Sequence, residues 1–579
     1  MRKILILILL LCLSASLMQA QVVIGGSIYG GGNAGDVKGS AKVSVYAGNL
    51  HAVFAGARMA NVEGSAFVHL DGEHASNYIL ADYVYGGNDI SGEIGTSENL
   101  PTELTEVIRE EMTDEQKQGK NNIDESWNAF VRISSKTTTG DEVPNDAKIY
   151  IGQLFGGGNG YYDYEKSTSG TGDEAVTTYT VKDKTGDVVA TSTNQLSEPE
   201  LGKAYLEILG GSIVYAYGGG NNATITNSTV ICLDNPSKVV NSIKDTRITS
   251  EDGGELLTNA RFQKMRINTE LSQPTSDEFQ IGRFFGGNNK AKMAIRPKWN
   301  LKRGLIRNLY SGGNEGAMTA PNGICLALTS PNLKVDNVYG GCRMADVNPD
   351  KRDIVREQIE GIWFPTGYAA RLFIDDGDIN NVYGGNDITG IVYGGNAVGI
   401  HCSINGDVYG GGNGSYPYTD NAALKDNDLY GDLYYNPGAS SVDSLNAFRP
   451  NAEQVSVRVT GYPIVENGDT IGIKPTIIHG SIYVGGNSAT LKNTRNASPR
   501  AELKIGSYVI ADNVFLGNNG ENMVKTSILE KMAGNATDNA GNEIKDKNGN
   551  DIKFSTIDLT NAETFAAYFC YKYITILHF

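Results

Sequence analysis

The chain has little cysteine, and the cysteines it has form no pattern. There are six in 579 residues, and one of them, Cys12, lies in an apolar stretch at the start. The other five are odd in number and far apart: Cys232, Cys325, Cys342, Cys402 and Cys570. No Cys-x-x-Cys pair occurs, which excludes a disulfide framework and a cysteine metal site. A hydrophobic core must therefore hold the fold, and the chain is long enough to build one.

Basic residues are also scarce. The chain carries 49 Lys and Arg against 66 Asp and Glu, a formal net charge of −17 at pH 7. Nucleic acids and anionic membrane surfaces attract proteins with an excess of Lys and Arg. We therefore expect no nucleic-acid partner.

Long apolar runs are missing except at the start of the chain. Arg2 and Lys3 precede an apolar run over 4–13, and small and polar residues follow up to Ala20. The run is too short to span a bilayer, and the pattern is that of a signal peptide over 1–20. We expect an exported protein with no transmembrane helix after cleavage.

Glycine, by contrast, is abundant, with 71 residues concentrated in one recurring phrase. The phrase is an aromatic residue, two or three glycines, then asparagine. Strict copies begin at Tyr29, Tyr85, Phe155, Tyr217, Phe285, Tyr383, Tyr393 and Tyr409, and looser ones at Phe54, Tyr310, Tyr339, Tyr483 and Phe515. No helix with Lys or Ser/Thr follows, as a phosphate-binding loop requires. The phrase is therefore interpreted as a structural turn whose glycines supply positive φ.

The phrase recurs with a measurable period. Residues 28–46 align with 53–71 at an offset of 25, which places Ile28 on Val53 and Tyr29 on Phe54. Within each unit the apolar residues alternate with period two, which indicates strands rather than a helix. Each unit then holds about three short strands broken by Gly, Asn and Asp turns. The predicted fold is all-β, a parallel β-helix (β-solenoid) of about 25-residue three-strand coils with long loop insertions.

Stacking of such coils makes specific predictions. Each aromatic should stack on its equivalent one coil away, and the asparagines should form an amide ladder. The fourth residue after the aromatic is Asn33, Arg58 and Asp89 early in the chain. It is Asn314, Arg343 and Asp387 later. We expect Arg58–Asp89 and Arg343–Asp387 salt bridges that set the register, and Tyr393 on a different corner of the coil.

The sequence also contains a longer duplication that includes several short repeats, because the segment 341–347 resembles the segment 56–62. The predicted division is a signal peptide over 1–20, copy one over 21–290, a continuous copy two over 291–525, and a tail over 526–579. The first copy has predicted insertions near 96–147, 160–203 and 235–280. Those of the second lie near 348–369, 415–453 and 488–503.

The insertions are where we expect binding specificity. Residues 100–120 have the pattern of a helix, and 178–192 that of a hairpin around Thr185-Gly186. The segment 538–552 resembles calcium loops but lacks their ligand spacing, so a hairpin near 548–549 is preferred. The apolar end, 568–579, suggests a buried cap strand or an artificial chain end.

Few residues suggest chemistry. One acidic group with a nearby arginine is the candidate catalytic set: Asp375, Asp376, Asp378, Asp387 and Arg371. Acids in Asx turns explain it without catalysis. A second candidate, for metal binding, is His69, Asp71, Glu73 and His74, although the alignment of His69 with Ser44 suggests simple exposure. No cofactor is expected, and calcium is the one ion left open.

The aromatic-Gly-Gly-Asn repeats, with Gly-Gly-Ser-Ile28 and Gly-Gly-Ser-Ile213, resemble bacterial surface β-helix proteins, including adhesin-like and autotransporter-passenger-like proteins. That resemblance covers about 22–525. It implies an exported protein at the cell surface, at the outer membrane or outside the cell, whose rod displays loops to glycans or surface proteins. Since β-helices also host polysaccharide lyases and hydrolases, a carbohydrate-active enzyme is the alternative.

Overall fold

The computed structural model describes a set of ranges that covers most of the repeats: 23–74, 79–95, 128–134, 149–236, 280–349, 357–359, 362–365, 367–416, 418–419, 434–435, 448–466, 469–492, 500–506, 508–520 and 555–557. The expected signal peptide, the helix at 100–120, most of 416–452, the segment 538–552 and the chain end lie outside these ranges. The stretch from one aromatic phrase to the next forms one unit of the repeat.

The described part of the chain is all-β, apart from a 3₁₀ turn at Gly172–Glu174. Its largest sheet has 22 strands, and every pairing among them is parallel. The first ladder consists of strands that end at the phrase aromatics: Val23–Tyr29, Gly48–Phe54, Ile79–Tyr85, Ile149–Phe155, Ser212–Tyr217, Ile281–Phe285, Lys298–Tyr310, Ile324–Tyr339, Ala370–Tyr383, Val408–Tyr409, Thr476–Tyr483 and Val509–Phe515. This arrangement is consistent with a β-solenoid.

Strands that lie between one phrase and the next form a second ladder. It runs through Ala41–Val45, Ala66–Asp71, Ala129–Ser134, Glu200–Leu209, Thr224–Asp234, Asn396–Ile400, Gln454–Val459, Arg500–Ile505 and Ser555–Ile557, and through the first halves of the three longest strands. Short pieces complete a third line, among them Glu93–Ile94, Ile391–Val392, Asn451–Ala452 and Thr490–Leu491.

One apolar core runs inside the ladders. The residue before each aromatic points inward, and Val53, Val84 and Leu154 are fully buried there. The strand Ile281–Phe285 pairs in register with Lys298–Tyr310, so the pairing passes without a break through the region where the sequence places the boundary of the two copies.

The inserts are built differently. Asp163–Ser169, Val176–Lys182 and Val188–Ser192 form an antiparallel three-stranded sheet. This confirms the predicted hairpin, with Gly186 at φ +97° in the turn. The first of these strands has no apolar alternation, which explains why periodicity missed it. The other antiparallel pairs are Glu357–Ile359 with Ile362–Phe364 and Tyr462–Glu466 with Asp469–Lys474, while Tyr418–Thr419 pairs in parallel with Tyr434–Tyr435.

The phrase glycines have a different role from the one expected. Among the described phrase glycines, only Gly394 and Gly395 after Tyr393 have positive φ, so the expectation of left-handed turns in the stacked phrases is wrong. The second residue after the aromatic is glycine in all twelve stacked phrases. In ten of the first eleven, an added Cβ would come closer than 3.0 Å to the next unit, and at Gly385 it would lie 3.0 Å from the Gly412 nitrogen. At Gly87 it would lie 2.6 Å from the Gly158 nitrogen. Glycine is required because adjacent units approach too closely for a side chain.

Candidate functional site

The most regular feature of the structure is a column of aromatic rings at one corner. It contains, in order, Tyr29, Phe54, Tyr85, Phe155, Tyr217, Phe285, Tyr310, Tyr339, Tyr383, Tyr409, Tyr483 and Phe515. Consecutive ring centroids lie 4.6–5.0 Å apart with interplanar angles of 13° or less. The predicted stacking is confirmed, and Tyr393 lies elsewhere, directly after Ile391–Val392.

A polar ladder runs beside this aromatic column, formed by the fourth residue after each aromatic. Its members are Asn33, Arg58, Asp89, Asn159, Asn221, Asn289, Asn314, Arg343, Asp387, Asn413, Asn487 and Asn519. Nine of the eleven steps carry a side-chain hydrogen bond of 2.8–3.1 Å, and the later residue always donates to the earlier one. The predicted amide ladder is thus present, and it has a direction.

The two steps without such a bond are the ones from arginine to aspartate. Arginine only donates and aspartate only accepts, so an arginine ends a run and an aspartate begins the next. The predicted Arg58–Asp89 salt bridge is wrong: among the described residues Arg58 donates to Asn33 Oδ1 at 3.0 Å and to the Val189 carbonyl at 2.7 Å. Arg343 donates to Asn314 Oδ1 at 3.1 Å, and its positive charge partly opposes the rise in pKa that burial causes at Asp387.

Each aspartate of the polar ladder is instead the centre of a tyrosine cluster. Asp89 accepts hydrogen bonds from the Tyr29 hydroxyl at 2.7 Å, the Tyr162 hydroxyl at 2.7 Å and the Asn159 amide at 2.8 Å. Tyr29 lies two units before the aspartate, and Tyr162 follows Asn159 by three residues. Asp89 is only 4% exposed.

The second cluster repeats the first. Asp387 accepts from the Tyr310 hydroxyl at 2.7 Å, the Tyr416 hydroxyl at 2.6 Å and the Asn413 amide at 3.0 Å. The spacing is the same, with one tyrosine two units earlier and the other three residues after the asparagine. Both clusters therefore come from the duplication. The Asn-Gly-x-Tyr spacing at 159–162 and 413–416 was the signal that sequence reasoning missed.

Burial dominates the electrostatics of the second cluster. It raises the pKa of Asp387 above its ordinary value, against hydrogen bonds from Tyr416 and Tyr310 and the fields of Arg343 and Arg283. Burial also raises the pKa of Tyr310 and Tyr416 far above the usual range, so both hydroxyls stay protonated and donate. Both carboxylate oxygens already accept hydrogen bonds, as expected of a cluster that ties units together.

We expect the Asp387→Asn variant to reveal this raised pKa. A group whose folded-state pKa is raised contributes stability below its ordinary value of 3.8, and that contribution is lost as pH rises through the raised pKa. As the pH falls from the raised pKa to 3.8, the free energy of unfolding of the wild type should therefore rise relative to that of the Asp387→Asn variant. Urea unfolding at a series of pH values measures the difference.

The control is Asp378→Asn, which removes an exposed carboxylate that accepts a 2.6 Å hydrogen bond from Asn405. It should show a smaller change over the same pH range. A difference between wild type and Asp387→Asn that does not vary with acid pH would contradict the burial argument.

The structure separates the candidate catalytic residues. Asp375 Oδ1 lies 3.3 Å from His401 Nδ1, whereas Asp376 accepts from the Gly377 amide at 2.9 Å. Asp378 pairs with Asn405, Asp387 belongs to its tyrosine cluster, and the fully buried Arg371 donates to the Asn322 carbonyl at 2.6 Å. These groups therefore have separate hydrogen-bond partners.

The residues of the second candidate, for metal binding, form hydrogen bonds within the protein. His69 Nε2 lies 2.8 Å from Ser134 Oγ, and His74 Nδ1 lies 2.7 Å from Asp71 Oδ2. The expectation that His69 is exposed is wrong. It does pair with Ser44 on the outward face of the second ladder, but it is only 8% exposed there. Among the described residues, no group of three or more His, Cys, Asp and Glu side chains could hold a metal ion.

Three of the four described cysteines offer no reactive thiolate. Cys232, Cys342 and Cys402 are buried, and burial raises the pKa of each thiol to about 12. A thiol with so high a pKa is a poor nucleophile near neutral pH.

The three-stranded insert stands on the flank next to the first cluster. Val181, Ala190 and Leu196 of this segment pack on Ile90. The Tyr164 hydroxyl donates to the Ile90 carbonyl at 2.5 Å. At its base, Tyr161 is 36% exposed, and the ammonium groups of Lys184 and Lys290 lie 4.9 and 5.7 Å from its ring centroid. An accessible ring with flanking cations can contact an apolar sugar face or an anionic group.

Comparison with known proteins adds no relative. No protein-family model matches the chain, no curated protein matches it, and no solved structure matches it. Within the described ranges, no helix has the length and apolar character needed to cross a membrane.

Proposed function

We propose that this chain is a parallel β-helix that serves as an exported bacterial surface or secreted protein. Its rod displays inserted segments to glycans or partner proteins and does not catalyse a reaction. The β-helix assignment is supported by the register of the first ladder, in which each phrase aromatic pairs with the next one along the chain. Export rests on the leader pattern and on the resemblance to surface β-helix proteins.

One observation carries the non-catalytic role. The polar side chains that recur along the rod are used in hydrogen bonds between units, including both aspartates of the polar ladder. A catalytic acid or base needs a hydrogen-bond position open to substrate. The repeated polar side chains therefore hold the units of the rod together, and the inserts make the contacts with other molecules.

The most specific contact surface is the base of the three-stranded insert around Tyr161. Its strand Asp163–Ser169 is largely solvent-exposed. Tyr161 contributes an accessible ring, and Lys184 and Lys290 supply cations beside it. Both ammonium groups are ion-paired within the protein: Lys184 with Asp163 at 2.5 Å, and Lys290 with Glu315. A glycan that carries carboxylate or sulfate groups can take the place of these partners beside the exposed ring.

We expect the chain to bind acidic glycans on an array without cleaving them. The Tyr161→Ala variant should bind about tenfold more weakly, equivalent to roughly 1.4 kcal/mol. The matched control is Tyr46→Ala, which removes an equally large ring that is 50% exposed directly after the strand Ala41–Val45. Equal loss in both variants, or no binding by the wild type to glycans or bacterial surfaces, would refute the proposed contact site.

A carbohydrate-active enzyme remains the second candidate because of one pair of residues. His401 and Asp375 form a half-buried pair, with side-chain exposures of 22% and 24%, and the Phe373 ring packs edge-on against His401 at 4.7 Å. A histidine held by a carboxylate is a common general base. Incubation with acidic and neutral polysaccharides, with and without calcium, tests this candidate. Turnover that is lost in His401→Gln and Asp375→Asn would replace the non-catalytic assignment.

A further inference from the structure

The two ends of the described rod differ from its middle. Inward-facing residues such as Val53 and Val84 are fully buried, because units lie on both sides of them. The equivalent Ile28 in the first unit and Val514 in the last are only partly buried. Repeat folds need a covered end because the last unit otherwise exposes the core.

Both ends also present a strand edge. Among the described residues, Val23–Tyr29 pairs on one side only, with Gly48–Phe54. Val509–Phe515 likewise pairs on one side only, with Thr476–Tyr483. Such edges are templates for an added strand. Phe515, at the end of the aromatic column, is 43% exposed.

The direction of the polar ladder makes the two ends complementary. Every bond runs from a later amide or guanidinium to an earlier oxygen, so the first unit ends in a donor and the last in an acceptor. Within the described part, the Asn33 amide donates no side-chain hydrogen bond, and the Asn519 side-chain oxygen accepts none. One end therefore fits the other end and does not fit itself.

Space for a further unit is also present. The eleven earlier phrase glycines have the next unit within 3.0 Å of an added Cβ, but at Gly517 none of the described residues lies within 4 Å. A unit placed there in the same register would bring Tyr29 onto Phe515 and Asn33 onto Asn519. The last described unit thus keeps the glycine that a following unit requires.

We propose that the last unit of one copy receives the first unit of a second copy, so that the chain assembles head to tail into unbranched fibres. The contact adds a parallel strand to the first ladder and continues both the aromatic column and the polar ladder. Because the two contacting surfaces are different, the interface is heterologous and does not close on itself. This proposal is independent of glycan binding at Tyr161.

The test uses the whole chain from residue 21, after the expected leader. Sedimentation velocity should show species larger than the monomer that grow with concentration, and electron microscopy should show them elongating along the rod. The Gly517→Glu variant should be monomeric, because its side chain fills the space that the incoming unit needs. At a dilution where the wild type is also monomeric, the unfolding midpoint of the variant should match that of the wild type, since none of the described residues lies within 4 Å of the new Cβ.

Two comparisons complete the experiment. Val188→Glu places the same residue and the same charge change on the flank, at a side chain that is 58% exposed, and should assemble like the wild type. Gly517→Glu mixed at low ratio with wild type should shorten the fibres, because it joins through its first unit and then blocks growth. A wild type that stays monomeric up to roughly millimolar concentration, as it would if its own C-terminal residues cover the end, overturns the proposal. Assembly of Gly517→Glu to the same extent as the wild type also overturns it.

Discussion

Replacing Gly87 by valine is expected to lower the free energy of unfolding by about 3 kcal/mol or more. A Cβ at this position lies 2.6 Å from the backbone nitrogen of Gly158 and 2.8 Å from its Cα. Backbone atoms of the neighbouring unit cannot rotate away as a flexible side chain can, so the two units must separate locally. Urea unfolding followed by circular dichroism gives the overall change.

The control for this prediction is the same replacement at the end of the rod. Gly517→Val, with none of the described residues within 4 Å of its Cβ, should change stability by no more than about 0.5 kcal/mol. Hydrogen exchange should also show that Gly87→Val loosens the units around 87 and 158 before the distant ones, since repeat folds depend on neighbouring units. Equal effects at the two glycines would contradict the steric explanation.

Truncating a ring in the middle of the aromatic column should have the other large effect. Phe155 is fully buried, and the rings of Tyr85 and Tyr217 lie 4.7 Å from it on either side. We expect Phe155→Ala to cost about 3–5 kcal/mol, the range for a buried phenylalanine replaced by alanine. The cavity interrupts the column, and loss of two stacked contacts adds to it.

The matched control is Phe515→Ala at the end of the column. In the described part of the chain that ring has one stacked neighbour, Tyr483 at 4.8 Å, and it is 43% exposed. Its removal should cost less than half as much. A similar cost at both positions would contradict the prediction, because neither the complete burial of Phe155 nor its second stacked neighbour would then add to stability.

The period of the repeat could be predicted from the local sequence pattern. Alternation with period two gave the strands, and the recurring aromatic gave the partners in the first ladder, such as Tyr29 with Phe54. Both are repeated many times, so chance matches average out. The hairpin around Gly186 was accessible for the same reason, because turn residues and β-branched neighbours lie within a few positions.

The role of the phrase glycines could not be read in this way. Glycine tolerates positive φ and also permits close backbone approach, and a single chain segment does not distinguish the two. Only the position of the next unit, with Gly158 beside Gly87, identifies close approach as the reason. The burial of His69 is a similar case: its outward direction followed from alignment with Ser44, but its 8% exposure did not.

The aspartate clusters combine both cases: their positions in the polar ladder were predictable from the sequence, and their hydrogen-bond partners were not. Arg58 and Asp89 were recognised as neighbours along the polar ladder, yet the partners of the carboxylate are Tyr29, 60 residues earlier, and Tyr162, 73 residues later. Local repetition in the chain is enough to specify strands, period and the identity of stacked positions, because each depends on residues within one unit. Hydrogen-bond partners, burial and the open ends depend on how units pack against one another in the tertiary structure. Because insertions of varying length separate the units, the spacing of residues in the sequence does not predict these contacts.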